Sequence, residues 1–123
     1  MIQIDANSPV PIYDQIKAGL KGLVAKGLLR PGDQAPSIRN LAADLRVNPN
    51  TVARAFRELS IEGFLESRRG DGAYIAATAE RGAQSGLEEA RSSFKEAVRR
   101  ARRGGLPWEE IRSLVEDVKG EEP

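Results

Sequence analysis

Residues 36–59 contain two short helical patterns separated by only a few residues, and this feature constrains the fold more than any other. Ser37 is a good N-cap for a first helix, and Asn48 followed by Pro49 is a typical start for a second. Apolar or small residues recur at helical spacing in both patterns: Ile38, Leu41, Ala42 and Leu45, then Val52, Ala55, Phe56 and Leu59. The segment therefore predicts two short helices joined by a tight turn.

The outer face of the second predicted helix is polar. It carries Asn50, Thr51 and Arg54, and Asn48 stands at its entrance. These side chains hydrogen-bond base edges and phosphates, whereas a merely solvated face more often holds Glu–Lys pairs. A pair of ordinary core helices is the alternative interpretation. The pattern favours a helix-turn-helix, which places the N-terminus of its second helix in the major groove of DNA.

A short hairpin follows at the distance expected of a wing. Gly63 ends the second helix, and residues 64–67 and 73–76 are predicted strands on either side of the tip at Arg69–Gly72. Gly70 and Gly72 supply the positive φ that such a tip needs, and they also allow the backbone to approach a phosphate closely.

Ahead of the helix-turn-helix, a helix is predicted from about residue 11 to 28. Its apolar stripe consists of Ile12, Ile16, Leu20, Leu23, Val24 and Leu28. Gln34 and Ala35 form a predicted very short strand.

Five runs of residues at fixed spacing carry a family resemblance. They are Pro11-Ile12-Tyr13-Asp14-Gln15-Ile16, then residues 29–39, then Val47-Asn48-Pro49-Asn50-Thr51-Val52, then Glu62-Gly63, then Gly70-Asp71-Gly72-Ala73-Tyr74. Together they cover about residues 9–77 and resemble the winged helix-turn-helix domain of GntR-type transcriptional regulators. The recognition helix and the short tail are most similar to the YtrA subfamily. The resemblance implies a homodimer that represses transcription at a two-fold symmetric operator.

The resemblance also implies which residues contact DNA. It assigns that role to Arg39, Asn48, Asn50, Thr51, Gly70 and Gly72. Ser37, Arg54, Arg68 and Arg69 complete the expected set, the two wing arginines at phosphate or the minor groove. For Arg54, many relatives carry the basic residue one place earlier, where this chain has Ala53.

Two positions depart from the family pattern. Arg46 stands in the turn between the two helices, where relatives commonly have Gly. If that position has a positive φ, Arg46 is mildly strained, or it reaches a phosphate instead. Ala35 stands where relatives usually have a larger aliphatic residue, which predicts looser packing beneath the first helix of the pair.

The tail predicts a helical hairpin. Residues 79–86 are expected to be a flexible joint, and residues 87–119 two helices broken at Gly104–Pro107. Two short helices cannot cover their own apolar surface, so we expect packing against a second subunit; docking onto the DNA-binding domain of the same chain is the alternative. The expected interface consists of Leu87, Phe94, Val98, Trp108, Ile111, Leu114 and Val115.

Composition limits the remaining function classes. The 123 residues allow one small domain and an appendage, which predicts a DNA-binding domain at 1–78, the joint at 79–86 and the hairpin at 87–119. The chain has no Cys and no His, so we expect no catalytic residues, metal or cofactor. The neighbouring Glu109 and Glu110 diverge on a helix and cannot converge on one substrate. An enzyme is therefore excluded, and a winged helix that binds only protein is the alternative to DNA binding.

Charge and targeting features add little. The net charge is +1, with ten Lys/Arg against eight Asp/Glu in residues 1–78 and nine against ten in residues 79–123. Binding then depends on the local placement of arginines. No signal peptide or membrane-spanning run is recognisable, so a cytoplasmic protein without membrane contact is expected. The hairpin is too small to enclose a drug-sized ligand, although a cleft at a dimer interface could hold a small effector or ion.

Overall fold

A computed structural model describes residues 2–122; residue 1, with which the first predicted domain begins, lies outside them. The chain divides into two compact units, one ending at Gly86 and one beginning at Leu87. The helices are α1 (Ile12–Ala25), α2 (Ile38–Leu45), α3 (Pro49–Ile61), α4 (Ala79–Arg103) and α5 (Trp108–Glu121), and the strands are β1 (Leu65–Arg68) and β2 (Gly72–Ile75). The prediction of a mainly helical chain with one small β-hairpin is confirmed.

The core of the first unit forms around α1 and α3. Ile16 and Leu20 of α1 are fully buried, as are Val52 and Leu59 of α3. The two residues lie four positions apart in α1 and seven apart in α3, so each helix presents one apolar side to the other. Ala35 is also buried, at 5% exposure, ahead of α2.

The end of α1 differs from the prediction. The helix ends at Ala25 with Lys26 as C-cap, and Gly27 follows with φ 76°. Glycine adopts this left-handed conformation without a steric penalty, and it stops the helix before residue 28. Leu28 is therefore not part of the buried stripe, and its side chain is 65% exposed.

The hairpin is antiparallel, with Leu65 paired to Ile75 and Arg68 to Gly72. Both strands lie one residue nearer the tip than predicted. Phe64 is excluded from β1 because its backbone N–H closes α3 by donating to the carbonyl of Leu59, at 2.9 Å. The predicted short strand at Gln34 is present as a single bridge to Tyr74.

Residues 79–86 do not form the expected flexible joint, because they are the first two turns of α4. Ala79 and Ala83 are 0% and 2% exposed and belong to the core of the first unit. A Cβ added to Gly82 would lie 3.5 Å from the ring of Phe64. Helix packing therefore orders this segment, although its composition suggests a linker.

The second unit contains the rest of α4, a turn and α5. Gly105 has φ 102°, and Leu106 N–H donates to the carbonyl of Ala101 at 3.0 Å, so the chain reverses where the Gly-Gly-Leu-Pro break was predicted. The apolar sides of the two helices line an open groove of about 440 Å³. No helix within residues 2–122 is long and apolar enough to cross a membrane.

Candidate nucleic-acid interface

The N-terminus of α2 carries Ser37 and Arg39. Ser37 is the N-cap, and its Oγ accepts a hydrogen bond from the backbone N–H of Asn40 at 3.0 Å. The side chain of Arg39 is exposed in the first turn. A helix N-terminus with unpaired N–H groups and a neighbouring guanidinium is a suitable site for a phosphate.

The N-terminus of α3 holds Asn48, Asn50 and Thr51. Asn48 is the N-cap, and its Oδ1 accepts from the backbone N–H of Asn50 at 2.8 Å. The oxygen thus already accepts one hydrogen bond, and the side-chain amide N–H₂ of Asn48 offers two donors to a ligand. The Asn50 side chain is exposed and Thr51 is half-buried. Asn50 thus offers both a donor and an acceptor at the tip of the helix.

One turn further along α3, Arg54 is held from two sides. Its guanidinium carbon lies 3.7 Å from the centroid of the Tyr13 ring of α1. Its Nε donates to Glu58, one turn further on, at 3.1 Å. A stacked and hydrogen-bonded arginine has few accessible rotamers, so its terminal nitrogens are preorganised on the outer face of the helix.

Arg68, Arg69, Gly70 and Gly72 form the tip of the wing. The Asp71 N–H donates to the Arg68 carbonyl at 2.9 Å, which closes a β-turn, and Gly70 and Gly72 have φ 82° and 92°. The prediction that both glycines have a positive φ is therefore confirmed. Arg68 lies over the ring of Tyr74, with its guanidinium carbon 3.9 Å from the ring centroid, whereas Arg69 is exposed.

Gln34 connects the wing to the segment that leads into α2. Its side-chain Nε2 donates to the carbonyl of Asp71 at 2.6 Å, and Ala35 N–H donates to the carbonyl of Ala73 at 2.9 Å. Ser37 follows only two residues later. The tip of the wing and the N-terminus of α2 are therefore held in a fixed relation to each other.

Two residues of this surface were missed in the site predicted from sequence. Gln34 has no sequence signal, because its partner is a distant backbone carbonyl. Arg57 could have been found from spacing: it lies seven residues after Asn50 and three after Arg54, and it is exposed. Residues at these intervals share one side of a helix. The outer side of α3 therefore carries Asn50, Arg54 and Arg57 in line.

An ion-pair cluster fixes α3 against α1 behind this surface. Lys17 bridges Glu58, at 3.1 Å, and Glu62, and Lys21 lies 2.8 Å from Glu62. The hydrogen bond from Lys17 lowers the pKa of Glu58, with a further contribution from Arg54. Burial opposes the change at Glu62, but the hydrogen bonds from Lys17 and Lys21 still lower its pKa. The hydrogen bond to Glu62 raises the pKa of Lys17 in spite of burial.

The residues of the expected dimer interface lie in the second unit. Five of them are exposed: Leu87 at 37%, Phe94 at 56%, Trp108 at 49%, Leu114 at 49% and Val115 at 46%. Val98 and Ile111 are half-buried. All except Leu87 and Trp108 line the apolar groove. The groove is thus an apolar surface that the unit leaves uncovered on its own.

Comparisons with known proteins agree with this architecture. The family model described as bacterial regulatory proteins, gntR family, matches residues 12–75. The HTH-type transcriptional repressor YtrA of Bacillus subtilis (strain 168) is 40% identical over 98% of this chain and 96% of its own length. The chain belongs to the GntR family and is a DNA-binding transcriptional regulator. Members of this family are not enzymes. Within residues 2–122, no three His, Cys, Asp or Glu side chains are grouped so that they could hold a metal ion.

Two solved structures are similar to the chain. YtrA from Sulfolobus acidocaldarius, a GntR-family transcription factor, is 37% identical with a TM-score of 0.60, over 75% of this chain and 97% of that one. The DNA-binding domain of AraR in complex with operator ORE1 has a TM-score of 0.53 at 24% identity, over 62% of this chain and 93% of that one. The second likeness concerns the fold alone.

Proposed function

We propose that the protein is a transcriptional repressor that binds a palindromic operator as a homodimer. In each protomer the N-terminus of α3 enters the major groove and the wing contacts the minor groove. The single observation that carries this proposal is the construction of the α3 N-terminus. There a cap by Asn48 leaves one amide N–H₂ and the whole side chain of Asn50 exposed next to the end of the helix.

Base readout by α3 follows from the groups that are exposed. An Asn side chain can form a bidentate pair with adenine N6 and N7, and an Arg can form one with guanine O6 and N7. Asn50 and Arg54 lie one turn apart on the outer face, so the two side chains can address neighbouring base pairs. Thr51, which is half-buried, contacts the backbone or a thymine methyl at the edge of this face.

Phosphate contacts are proposed on both sides of the N-terminus of α3. Ser37 and Arg39 at the start of α2 bind the backbone on one side of the major groove. Arg68, Arg69 and the two glycines of the wing bind across the adjacent minor groove, because the glycine backbone offers no Cβ to obstruct a close approach. The hydrogen bond from Gln34 to Asp71 keeps both contact regions in one orientation.

Dimerisation is assigned to residues 87–119. The groove between α4 and α5 is lined only by apolar side chains, and Trp108 is half exposed beside it. A second copy of the same hairpin buries this surface and supplies the two-fold axis that a palindromic operator requires. Because this groove is assigned to the second subunit, we assign no small-molecule effector to it. As a regulator of transcription, the protein acts in the cytoplasm with the chromosome, independently of membranes.

The test is selection of bound duplexes from a random DNA pool with the full chain. The proposal predicts that the enriched sequences contain two copies of one half-site in inverted orientation at constant spacing. Enrichment of a single asymmetric site contradicts the homodimer. Failure to enrich any duplex contradicts sequence-specific binding and favours a winged helix that binds only protein.

A further inference from the structure

Arg46, in the turn between α2 and α3, has an unfavourable backbone conformation. Its φ is 57° and its ψ 45°, and it is the only non-glycine residue with positive φ within residues 2–122. Its N–H donates to the carbonyl of Ala43 at 3.3 Å, and the N–H of Val47 donates to that of Ala42 at 3.0 Å. These two bonds form a Schellman motif, in which glycine is preferred because a Cβ is disfavoured in the left-handed region.

The Arg46 side chain does nothing within the protein to offset this strain. It is exposed, and it makes no side-chain hydrogen bond, ion pair or cation–π contact with the residues that the structure describes. Arg39, by comparison, has an ordinary helical backbone, and Arg54 and Arg68 each lie on a tyrosine. A strained residue without internal compensation indicates a role outside the folded protein.

The position of Arg46 suggests that role. It lies two residues before Asn48, the N-cap of the helix proposed to enter the major groove. A guanidinium on a long side chain can bind two oxygens of one phosphate. We infer that Arg46 binds a DNA backbone phosphate beside the groove that receives α3. The turn itself favours glycine at this position. In this chain the left-handed backbone instead carries an arginine side chain, which it presents to the DNA.

The experiment compares Arg46→Gly, Arg46→Asn and Arg46→Lys in the full chain, with Lys26→Ala as a control for loss of an exposed cation elsewhere. Thermal unfolding and binding to operator and random duplex are measured at several salt concentrations. Arg46→Gly is expected to raise the unfolding midpoint by a few degrees. It should also weaken binding to both duplexes several-fold and reduce the salt slope by about 0.9 per protomer. Arg46→Asn should lose the same slope, Arg46→Lys should keep it, and Lys26→Ala should leave it unchanged.

Each alternative result overturns the inference. A glycine variant with higher stability and unchanged salt slope shows that Arg46 has no contact with DNA. Loss of affinity in the Gly variant but not in the Asn variant assigns the effect to a flexible turn. A Gly variant no more stable than the parent contradicts the strain. Because the contact rests on the proposed docking of α3, Asn50→Ala is measured alongside: if it too leaves operator binding unchanged, the docking itself fails.

Discussion

The guanidinium of Arg54 on α3 lies over the ring of Tyr13 on α1, with its carbon 3.7 Å from the ring centroid. The same guanidinium donates through Nε to Glu58, which in turn accepts from Lys17. An arginine on the proposed reading face is therefore oriented by a different helix. We therefore predict that Tyr13 affects DNA binding through Arg54, as a positioning residue.

The role of Tyr13 can be tested by removing its aromatic ring while keeping an apolar side chain. Tyr13→Leu should weaken operator binding about two- to fivefold, since a cation–π contact at a partly exposed site contributes about 0.5–1 kcal/mol. Tyr13→Phe keeps the ring and should bind as the parent does. Titration of operator duplex with each variant makes the comparison. Equal losses in the Phe and Leu variants would assign the effect to the tyrosine hydroxyl instead.

Arg39 is predicted to contribute an electrostatic contact that is independent of sequence. Arg39→Ala should weaken binding to operator and random duplex alike and lower the salt slope by about 0.9 for each protomer. Lys26→Ala removes an exposed cation outside the proposed contact set and should leave the slope unchanged. The measurement is affinity as a function of salt concentration on both duplexes. A slope unchanged by Arg39→Ala would give Arg39 a structural role.

The ion-pair cluster between α1 and α3 predicts how stability depends on pH. The pKa values of Glu58 and Glu62 are lowered from the ordinary value of 4.5. Both carboxylates therefore stabilise the folded state above pH 4.5, and this stabilisation is lost as the pH falls through the lowered values. The pKa of Lys17 is raised from 10.5, so its ammonium group stabilises the folded state below pH 10.5. This stabilisation is lost as the pH rises through the raised pKa of the folded state.

Urea unfolding midpoints measured between pH 3 and 6 test this linkage. Lys17→Met removes the shared partner, so its midpoint should change less with pH in this range than that of the parent. Lys95→Met is the matched control, since Lys95 lies in the second unit and has no ion pair within residues 2–122. Identical acid dependence in the parent and Lys17→Met would mean that other carboxylates cause the acid sensitivity.

The tail is predicted to hold the dimer together. Removing residues 87–123 should leave a folded, monomeric DNA-binding unit, because the buried Ala79 and Ala83 stay in place. Its affinity for the full palindrome should fall by about 10²- to 10⁴-fold, since the second half-site is no longer tethered. Sedimentation and operator titration give the two readouts. A shortened chain that stays dimeric would move the interface into the first unit.

A single substitution tests the same interface more finely. Trp108→Ala should shift the full chain toward monomer, because large aromatics dominate interface energetics. Glu109 lies on the opposite side of α5 from the groove by helical spacing, so Glu109→Ala should leave the dimer intact. Sedimentation of both variants across a concentration series makes the comparison. Equal dissociation constants for both would exclude Trp108 as the anchor.

Local signals were sufficient to predict much of this architecture. Ser37 and Asn48 cap helices through bonds to residues two or three positions away, so their roles can be recognised in sequence. The end of α1 was placed too late because apolar spacing continued past a glycine to Leu28. The order of residues 79–86 was missed because the burial of Ala79 and Ala83 depends on the core they meet, and not on their own composition.

Within the candidate site, too, the features that depend on local spacing could be predicted and those that depend on distant partners could not. The polar array on α3 is periodic and could be predicted, and Arg57 could have been added on the same grounds. The orientation of Arg54 and the tie from Gln34 to the wing depend on partners far away in sequence, which one sequence cannot reveal. The family pattern identified Arg46 as unusual, but only its backbone angles established the strain.

The central claim is that the N-terminus of α3 reads bases, and Asn50→Ala tests it most directly. The measurement is the affinity of parent and variant for operator and for random duplex at one salt concentration. The account predicts a loss of about 1–3 kcal/mol on the operator and almost none on random DNA, because a base contact exists only in the specific complex. An equal loss on both duplexes, or no loss on either, would contradict base readout by this helix.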